Sequence, residues 1–296
     1  MAAPSHVEKL KQAVAADAAG RRRLLSVPGC WDGLSALLIE QAGFEAAFLT
    51  GGGLSFARLG RPDMGLITAS ETADAVNQIR DRISIPLIVD GDTGFGNALN
   101  MQRTVRMFER AGASAIQIED QGFPKRCGHM AGKTVVPLPE AVGRVKAALD
   151  ARQHMLVIAR TDAVSVEGFD AALERAEAFL EAGADLIFVE GPRTLEDTAR
   201  VGKQFGSRVP LVHNLVEGGV TATDSGAELE AMGFAIALHP LLLMHGFVKL
   251  APALLETLKR ERSTTSLKGG IASLSDLNQL TGAPALELLG KHYDHS

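Results

Sequence analysis

A loop that could carry a reactive thiol follows an apolar run near the middle of the chain. The run Ala115–Ile118 ends at two adjacent acids, Glu119 and Asp120. A loop broken by glycine and proline comes next and contains the sequence Lys125-Arg-Cys-Gly-His129. Neighbouring cations make a thiol reactive, so Cys127 is our first candidate for chemistry. The pattern predicts a strand followed directly by a site.

Polar residues also stand at the ends of other apolar runs. They are Thr50 to Gly53, Asp90, Asp92, Arg160, Asp162, Glu190, Asn214 and His239. If these ends converge, their acids suit a hard cation such as Mg²⁺, which usually keeps several waters and takes one or two protein carboxylates. A single strand-end carboxylate can equally cap the following helix. Zinc is not expected, because Cys127 and His129 have no second pair of ligands beside them.

One local pattern recurs along the chain. A helical stretch ends at Gly after Ala or Met, and an apolar run follows two or three residues later. The copies are Gln41–Thr50, Arg110–Ile118, Glu181–Val189 and Ala231–Leu238. Glycine supplies a left-handed helix end, and the short connection that follows favours a parallel strand. Helices and strands are therefore expected to alternate.

Four further apolar runs complete a set of eight candidate strands: Ser26–Cys30, Pro86–Asp90, Leu156–Arg160 and Pro210–Asn214. Helical segments are predicted between them, near residues 32–42, 70–80, 100–112, 138–151, 168–182, 194–204, 223–231 and 241–262. Eight such units predict an α/β protein with a closed (β/α)8 barrel, whose site lies at the carboxyl ends of the strands. An open doubly wound sheet is less favoured, because no Gly-x-Gly-x-x-Gly turn follows the first strand.

The barrel prediction also sets the domain organisation. We expect one domain over residues 1–296, with an extra N-terminal helix over residues 5–19 and a C-terminal helical extension over residues 241–296. Within that extension, residues 272–290 form a helical segment broken by Gly282 and Pro284.

Composition excludes several classes of partner. The 296 residues carry a net charge of −5 with both signs interspersed, so no basic surface for nucleic acid is expected. Apolar stretches are too short and interrupted to span a membrane, and the N-terminus has no apolar signal core. The two cysteines, Cys30 and Cys127, lie in different predicted elements. We therefore expect a soluble protein of the reduced cytoplasm.

Four stretches together resemble one enzyme family. They are Asp90-Gly-Asp-Thr-Gly-Phe-Gly96, Ile118-Glu-Asp-Gln121, Lys125–His129 and Ala159–Ala163. They are similar to the motifs of the isocitrate lyase/phosphoenolpyruvate mutase superfamily, most like its 2-methylisocitrate lyase and 2,3-dimethylmalate lyase branch. The resemblance extends from Trp31 to about Leu258. It implies the same barrel fold and a Mg²⁺-dependent, or Mn²⁺-dependent, reaction of a small carboxylate.

The resemblance implies roles for individual residues. Asp90, Asp92 and Glu119 match the metal-binding acids. The substrate-binding set comprises Thr50, Gly51, Gly52, Asp63, Gly128, His129, Arg160, Glu190 and Asn214. Glycines at 51–53 would let backbone N–H groups approach a substrate carboxylate, although such a run can also be a simple tight turn. The guanidinium of Arg160 suits a second carboxylate, and a buried structural ion pair is its alternative role.

The proposed chemistry places catalysis on Cys127, Arg160 and Glu119. If a metal stabilises a forming 2-keto acid, a carbon–carbon bond can break and leave a carbanion. The resemblance makes Cys127 the general acid that protonates this carbanion, and a nucleophilic cysteine is the competing role. Related lyases have a tyrosine where this chain has Phe48, so the general base is not identified.

Three classes of function remain. The first is a lyase that cleaves a substituted malate or 2-methylisocitrate-like acid to a keto acid such as pyruvate and a carboxylic acid. The second is oxaloacetate hydrolysis or decarboxylation, or phosphonate chemistry of the carboxyphosphonate mutase kind, on the same scaffold. The third is a non-catalytic barrel that binds a metabolite. The family also implies a homotetramer, a dimer of dimers, whose subunits exchange the helices after residue 241.

Overall fold

A computed structural model describes residues 4–128, 132–219, 222–223 and 225–294. Eight parallel strands pair in sequence order, and Leu25–Pro28 of the first pairs with Ile236–His239 of the last to close a barrel. The strands are β1 (Leu25–Cys30), β2 (Ala47–Leu49), β3 (Leu87–Asp90), β4 (Ala115–Glu119), β5 (Leu156–Thr161), β6 (Leu186–Val189), β7 (Leu211–Asn214) and β8 (Ile236–His239). The predicted (β/α)8 barrel is confirmed.

Helices alternate with the strands as the repeated pattern predicts. They are α1 (His6–Ala13), α2 (Gly33–Gln41), α3 (Gly51–Leu54), α4 (Ala69–Arg80), α5 (Ala98–Ala111), α6 (Leu138–Ala151), α7 (Phe169–Glu181), α8 (Leu195–Phe205), α9 (Gly226–Ala231), α10 (Leu242–Glu261), α11 (Leu274–Thr281) and α12 (Ala283–Asp294). The chain divides into two compact units, Met1–Leu243 and Met244–Ser296. The first contains the barrel. The second is helical, and within it α11 contacts α12.

Local sequence signals account for where helices begin and end. Capping boxes open α2 at Asp32, α4 at Thr68 and α5 at Asn97, where side chains satisfy backbone N–H groups of the first turn. The four glycines of the repeated pattern adopt positive φ, as predicted: they are Gly43, Gly112, Gly183 and Gly233. A residue without Cβ reaches this conformation at little cost, so each helix ends there and the chain turns into the next strand.

Alternation along the strands separates two apolar cores. In β5, Val157 and Ala159 belong to the layer between barrel and helices, whereas Leu156 and Ile158 belong to the barrel interior. The interior cluster also includes Leu10 and Val14, so α1 and its end cover the amino-terminal side of the barrel. The residues that continue the inward series at the carboxyl ends are mostly polar, because side chains two positions apart face the same way.

Two segments differ from the predicted boundaries. The N-terminal helix ends at Ala13, well before residue 19, because the Asp17 carboxylate accepts the N–H groups of Ala19 and Arg21 in a tight turn. The glycine run after β2 is not an open turn but the short helix α3, capped by Thr50. Within the described residues, no helix is both long and apolar enough to cross a membrane.

Two helical glycines make a matched test of barrel packing. A Cβ on Gly202 of α8 would overlap the carbonyl oxygen of Met232, whereas a Cβ on Gly143 of α6 meets no atom within 4 Å. We expect Gly202→Ala to lower the free energy of unfolding by about 1–3 kcal/mol through overpacking. Gly143→Ala should raise it by about 0.5–1 kcal/mol, because alanine favours the helix. Urea denaturation of both variants measures this, and equal effects would contradict the packing shown here.

Candidate active site

A cavity of about 190 Å³ opens at the carboxyl ends of the strands. It is lined by most of the candidate site residues predicted from the sequence: Thr50, Gly52, Asp63, Asp90, Glu119, Cys127, Gly128, Arg160 and Asn214. Gly51, Asp92 and Glu190 lie behind this lining, in contact with residues that form it. His129 lies outside the described residues. His239, at the end of β8, borders a different surface depression.

Strand alternation explains why these side chains meet. Ile88, Phe188 and Val212 face the barrel interior, and two residues later each strand end carries Asp90, Glu190 or Asn214. On each of these strands, the residues that face the barrel interior therefore change from apolar to polar at the carboxyl end. A ring of polar groups follows from parallel pairing with this register.

Asp90 is held in place by three donors. Its Oδ2 accepts the Gly51 N–H at 3.2 Å, and its Oδ1 accepts the Asp92 N–H at 3.2 Å. The amide of Gln117 donates to the same Oδ1 at 3.4 Å. Backbone groups from two loops and a side chain from β4 thus fix this carboxylate. Its orientation is set before any ligand arrives.

Lys125 bridges two carboxylates under the cysteine loop. Its Nζ lies 2.6 Å from Asp63 Oδ1 and 2.7 Å from Asp92 Oδ1. Burial raises the pKa of Asp92 to about 7, although Lys125 opposes this shift. Burial by itself would lower the pKa of Lys125, but Asp92, Asp90 and Asp63 outweigh it and raise that pKa well above its ordinary value. The lysine therefore stays charged and ties its loop to the barrel mouth.

The acid set fits a hydrated divalent cation. In the described part of the chain, no three His, Cys, Asp or Glu side chains stand close enough to bind one ion directly. However, buried oxygens of Gln117, Glu119 and Asn214 accept no hydrogen bond in the structure. Mg²⁺ usually keeps several waters, which are donors, and binds through one or two carboxylates. Asp90, Asp92 and Glu119 would hold such a cation, with these unsatisfied acceptors around its waters.

Glu119, the last residue of β4, is buried. Its Oε2 is 3.4 Å from Arg160 Nε, and its buried Oε1 has no hydrogen-bond partner among the described residues. Burial raises the pKa of Glu119 well above its ordinary value, with Arg160 opposing the shift and Asp162 adding to it. A cation at this position would favour the ionised carboxylate.

Arg160, near the end of β5, is engaged mainly with Asp162, two residues further along the chain. Its Nε and Nη2 donate to the two oxygens of Asp162 at 2.9 and 3.0 Å, and its Nη1 is 3.6 Å from Glu190 Oε2. Its guanidinium also lies over the Phe188 ring, 5.1 Å from the centroid. The Nε and Nη2 groups of Arg160 therefore form an ion pair with Asp162, and the side chain also lines the cavity.

Asp162 is the centre of a buried network beside the cavity. Besides Arg160, it accepts a hydrogen bond at 3.0 Å from Lys133 Nζ, and its backbone N–H donates to Asp120 Oδ1 at 2.9 Å. Asp120 also accepts from Thr161 Oγ1 at 2.7 Å. Burial by itself would raise the pKa of Asp162, but Arg160 and Lys133 lower it to about 2. The Asp162 carboxylate is ionised at neutral pH.

The cysteine loop reaches the cavity through Cys127 and Gly128. Cys127 is half-buried, and its N–H donates to the Asp63 carbonyl at 3.2 Å. A Cβ on Gly128 would overlap Arg160 Nη2 and lie 3.0 Å from Glu190, so a side chain there would displace the Arg160 guanidinium. Cys30 is fully buried in the packing layer, and burial raises the pKa of its thiol. The thiol of Cys127 therefore borders the cavity, whereas the thiol of Cys30 is enclosed in the apolar packing layer.

The backbone N–H groups of the glycine run donate to protein oxygens, whereas the sequence suggested that they would approach a substrate carboxylate. The N–H of Gly51 donates to Asp90, and the N–H of Gly53 donates to Thr50 Oγ1 at 3.3 Å. A Cβ on Gly51 would lie 3.0 Å from Asp90 Oδ2. Close approach of backbone to carboxylate thus explains glycine at this position. The carboxylate approached in the structure belongs to the protein.

Sequence reasoning missed several residues of the site. Gln117 points inward on β4 two positions before Glu119, and Lys133 reaches back to the site from beyond the cysteine loop. Period-two counting from Glu119 would have found Gln117. The cavity also has an apolar wall, formed by Phe48, Phe56, Pro62, Val216, Pro240 and Leu241.

Comparison with known proteins places the chain in a family. The family description of phosphoenolpyruvate phosphomutase matches residues 9–256. A 2,3-dimethylmalate lyase of Eubacterium barkeri is 40% identical over 274 residues, 92% of this chain and 94% of the relative. A carboxyvinyl-carboxyphosphonate phosphorylmutase of Arabidopsis thaliana is 40% identical, covering 87% and 77%. A 2-methylisocitrate lyase of Aeropyrum pernix is 39% identical, covering 88% and 84%.

Solved structures agree over the whole length. A 2,3-dimethylmalate lyase superposes with a TM-score of 0.91 at 32% identity, covering 99% of this chain and 96% of that one. Oxaloacetate acetylhydrolase with 3,3-difluorooxalacetate gives 0.89 at 31% identity, with 97% of each chain covered. Phosphonopyruvate hydrolase with oxalate and Mg²⁺ gives 0.86 at 29% identity, covering 98% and 99%.

The low pKa of Asp162 predicts how acid affects stability. A folded-state pKa of about 2, below the ordinary 3.8, means that ionised Asp162 stabilises the fold above pH 4. This contribution is lost as pH falls through about 2. We expect Asp162→Asn to lower the free energy of unfolding by at least about 2 kcal/mol at pH 7, and the difference from wild type to narrow between pH 4 and pH 2.

Urea denaturation across this pH range measures the effect. Asp150→Asn, at an exposed position on α6, is the control and should stay within about 0.5 kcal/mol of wild type throughout. A pH-independent difference for Asp162→Asn would show that the carboxylate charge is not what stabilises the network.

Proposed function

The chain belongs to the phosphoenolpyruvate phosphomutase/isocitrate lyase superfamily, and from this premise we propose that it is a carbon–carbon lyase of a 2-hydroxy dicarboxylate. The products are a keto acid such as pyruvate and a carboxylic acid. The observation that carries the proposal is the half-buried Cys127 on the wall of an acid-ringed cavity. The lyases among the relatives, at 39–40% identity, support the same reaction type.

The bond changes of this reaction assign tasks to the residues. The substrate hydroxyl loses its proton, the bond between its carbon and the neighbouring carbon breaks, and the bonding electrons remain on that neighbour as a carboxylate-stabilised carbanion. We assign the proton delivered to this carbanion to the Cys127 thiol. The resulting thiolate lies on a loop with Lys125 and Arg126, whose charges favour it.

The proton acceptor comes from the carboxylates in this proposal. Phe48, on β2, has no hydroxyl and lies at the apolar wall of the cavity. Glu119 keeps a buried oxygen free of hydrogen bonds, as a proton acceptor requires. Asp92 instead faces Lys125. Glu119 therefore serves either as this base or, as the resemblance implies, as an acid of the metal shell.

Mg²⁺, or Mn²⁺, is the proposed cofactor. When bound, it would supply a Lewis acid that stabilises negative charge on the substrate oxygens. Asp90, Asp92 and Glu119 would hold it, because their oxygens and the unsatisfied acceptors around them fit a hydrated cation. The Mg²⁺ and oxalate complex of phosphonopyruvate hydrolase supports this assignment.

The shape of the cavity favours an alkyl-substituted malate over a tricarboxylate. One wall is apolar, and the cations of the other walls are Lys125, Arg126 and Arg160. Lys125 and Arg160 are already paired with buried acids. The apolar wall would thus accept an alkyl substituent, whereas a third substrate carboxylate against that wall would have a substantial desolvation cost. Thr50, Gly51, Gly52, Asp63, Gly128, His129, Arg160, Glu190 and Asn214 remain the proposed substrate-binding set.

Phosphonate mutase chemistry is the second candidate. It is favoured by the Arabidopsis phosphorylmutase, which is as similar to this chain in identity as the dimethylmalate lyase. The cysteine loop distinguishes the two reactions, since a rearrangement at phosphorus has no carbanion for a thiol to protonate. Hydrolysis of oxaloacetate has structural support from the acetylhydrolase. The substrate panel below includes both alternatives.

Assembly and location complete the proposal. Several large apolar side chains of the Met244–Ser296 unit are exposed, among them Phe247, Leu250, Leu274 and Leu288. A second copy of the chain that exchanges these helices would cover them, so we retain a homotetramer and a single functional domain with a helical extension. The two cysteines, which lie in different elements, suit the reduced cytoplasm. Analytical ultracentrifugation of the full chain measures the assembly.

The central test combines a substrate panel with a cysteine variant. We expect wild-type protein to release pyruvate or a similar keto acid from alkylmalates faster than from 2-methylisocitrate, oxaloacetate or phosphonopyruvate. Cys127→Ser should lower kcat on the best substrate by roughly 10²-fold or more, since serine is a far weaker acid. Affinity for a product-like keto acid should change little, because the thiol acts mainly in the transition state.

Cys30→Ala is the control for this variant. It removes the other thiol, which is buried away from the cavity, and should leave kcat unchanged. Full turnover by Cys127→Ser would make the cysteine structural and move decarboxylation ahead of the lyase. Conversion of phosphonopyruvate to phosphoenolpyruvate without pyruvate release would favour the mutase, and conversion of oxaloacetate to oxalate and acetate would favour the hydrolase.

A metal prediction follows from the fixed orientation of Asp90. Asp90→Asn should weaken Mg²⁺ binding by about tenfold or more, because the amide removes charge while keeping the shape. Isothermal titration with Mg²⁺ measures this without any turnover, and thermal melting checks that the variant is folded. Unchanged Mg²⁺ affinity in Asp90→Asn, with Asp150→Asn as control, would remove Asp90 from the ligand set.

A further inference from the structure

Lys133 lies beyond the cysteine loop in sequence and returns to the site in space. The residues that follow it pair with the start of the loop: the Gly122 N–H donates to the Thr134 carbonyl, and the Val136 N–H donates to the Asp120 carbonyl, both at 2.9 Å. This short pairing carries the Lys133 side chain inward. Only 4% of that side chain is exposed.

The ammonium of Lys133 contacts two groups from different segments of the chain. It donates to the backbone carbonyl oxygen of Gly128, directly after Cys127, and to Asp162 Oδ1 at 3.0 Å. Asp162 in turn holds both donors on one edge of Arg160. The buried Lys133 ammonium therefore links the cysteine segment to the ion pair between Asp162 and Arg160.

The cysteine segment has little freedom where Lys133 holds it. Gly128 packs so closely on the Arg160 and Glu190 side chains that a Cβ there would overlap Arg160 Nη2. On the other side, the Cys127 N–H donates to the Asp63 carbonyl at 3.2 Å. The Cys127–Gly128 unit is thus fixed at its amide by Asp63 and at its following carbonyl by Lys133. The position of the thiol is set between these two contacts.

We propose that Lys133 is a positioning residue that fixes the Cys127 thiol against the cavity by clamping the Gly128 carbonyl to Asp162. The proposal rests on the proposed function, in which Cys127 is the proton donor. An ammonium suits this place because it has three donors and both partners are acceptors. An uncharged side chain would leave the Gly128 carbonyl and one Asp162 oxygen without this donor.

The expected consequence is a loss of rate with little loss of binding. Proton transfer depends on hydrogen-bond reach between donor and carbon, and a displacement of about 1 Å can cost roughly 10²-fold in rate. Lys133 itself is absent from the cavity lining, so it makes no contact with a substrate there. Removal of the Lys133 ammonium should therefore lower kcat and increase the alkylation rate of Cys127.

The test compares Lys133→Met with Lys146→Met, which removes an exposed lysine from α6. We expect Lys133→Met to lower kcat by about 10- to 100-fold, leave KM nearly unchanged, and increase the iodoacetamide alkylation rate of Cys127 several-fold. Cys30, buried and of raised pKa, should stay unreacted in both variants and serves as the internal standard. Lys146→Met should match wild type in all three measurements.

A second variant keeps the proposal testable if Lys133→Met is unstable. Lys133→Ala leaves a space for a small alkylammonium ion, so added propylammonium should restore part of kcat and slow Cys127 alkylation, whereas propanol should do neither. A merely structural role at this position would lower the melting temperature without this charge-specific rescue. Unchanged kcat and alkylation in Lys133→Met, a loss expressed in KM alone, or no rescue of Lys133→Ala would overturn the proposal.

Failure of the clamp and failure of the lyase assignment give different results. Alkylation of Cys127 and its rescue by propylammonium require no turnover. If wild type cleaves no hydroxy acid but Lys133→Met exposes Cys127, the clamp stands and the proposed reaction is wrong. If wild type is a lyase and Lys133→Met behaves as wild type, the reaction stands and the clamp is wrong.

Discussion

The structure depends on neutralising carboxylates that are buried together at one end of the barrel. Asp92, Glu119, Asp120, Asp162 and Glu190 are each no more than 6% exposed. An isolated buried charge is costly, so each must have a cation, a hydrogen-bond donor or a proton. The buried cations Lys125, Lys133, Arg160 and Arg175 supply much of this charge. Where they do not suffice, burial raises the pKa of the carboxyl group, as it does for Asp92, Glu119 and Asp120.

This charge balance divides the mouth of the barrel into two parts. Both oxygens of Asp162 are paired with Arg160 or Lys133, and the low pKa of Asp162 reflects that pairing. Around Glu119 the pairing is incomplete, and buried oxygens of Glu119, Gln117 and Asn214 have no donor among the described residues. The first part is a rigid support. The second has the unsatisfied groups that a cation and an acidic substrate would complete.

The cysteine loop connects the two parts. Lys125 enters the incompletely paired part and Lys133 the fully paired part, and Cys127 lies between them in sequence. A thiol on a loop would ordinarily have considerable freedom, since connecting segments are the mobile parts of a barrel. Here two buried ammonium groups hold the loop on either side of the thiol. The same ion pairs that neutralise the acids therefore also position the proposed proton donor.

Much of this protein could be predicted from the sequence by itself. Glycine at Gly43, Gly112, Gly183 and Gly233 marks helix ends because a residue without Cβ tolerates positive φ, and such a signal is local. Apolar runs that end in polar residues identified the eight strands and, through the barrel, the position of the site. The motifs around Asp90, Glu119, Cys127 and Arg160 indicated the family, and the comparisons confirmed it.

Tertiary structure alone decided how those residues are paired. Nothing in the local sequence shows that Lys125 bridges Asp63 and Asp92, because these residues are far apart along the chain and meet only when the barrel closes. Nor does it show that Asp162 occupies the fork of Arg160, or that Lys133 reaches the Gly128 carbonyl. Residue types reveal which charges are available. Only the packed fold determines which of them neutralise each other, because pairing depends on distances that the strand register and loop contacts set.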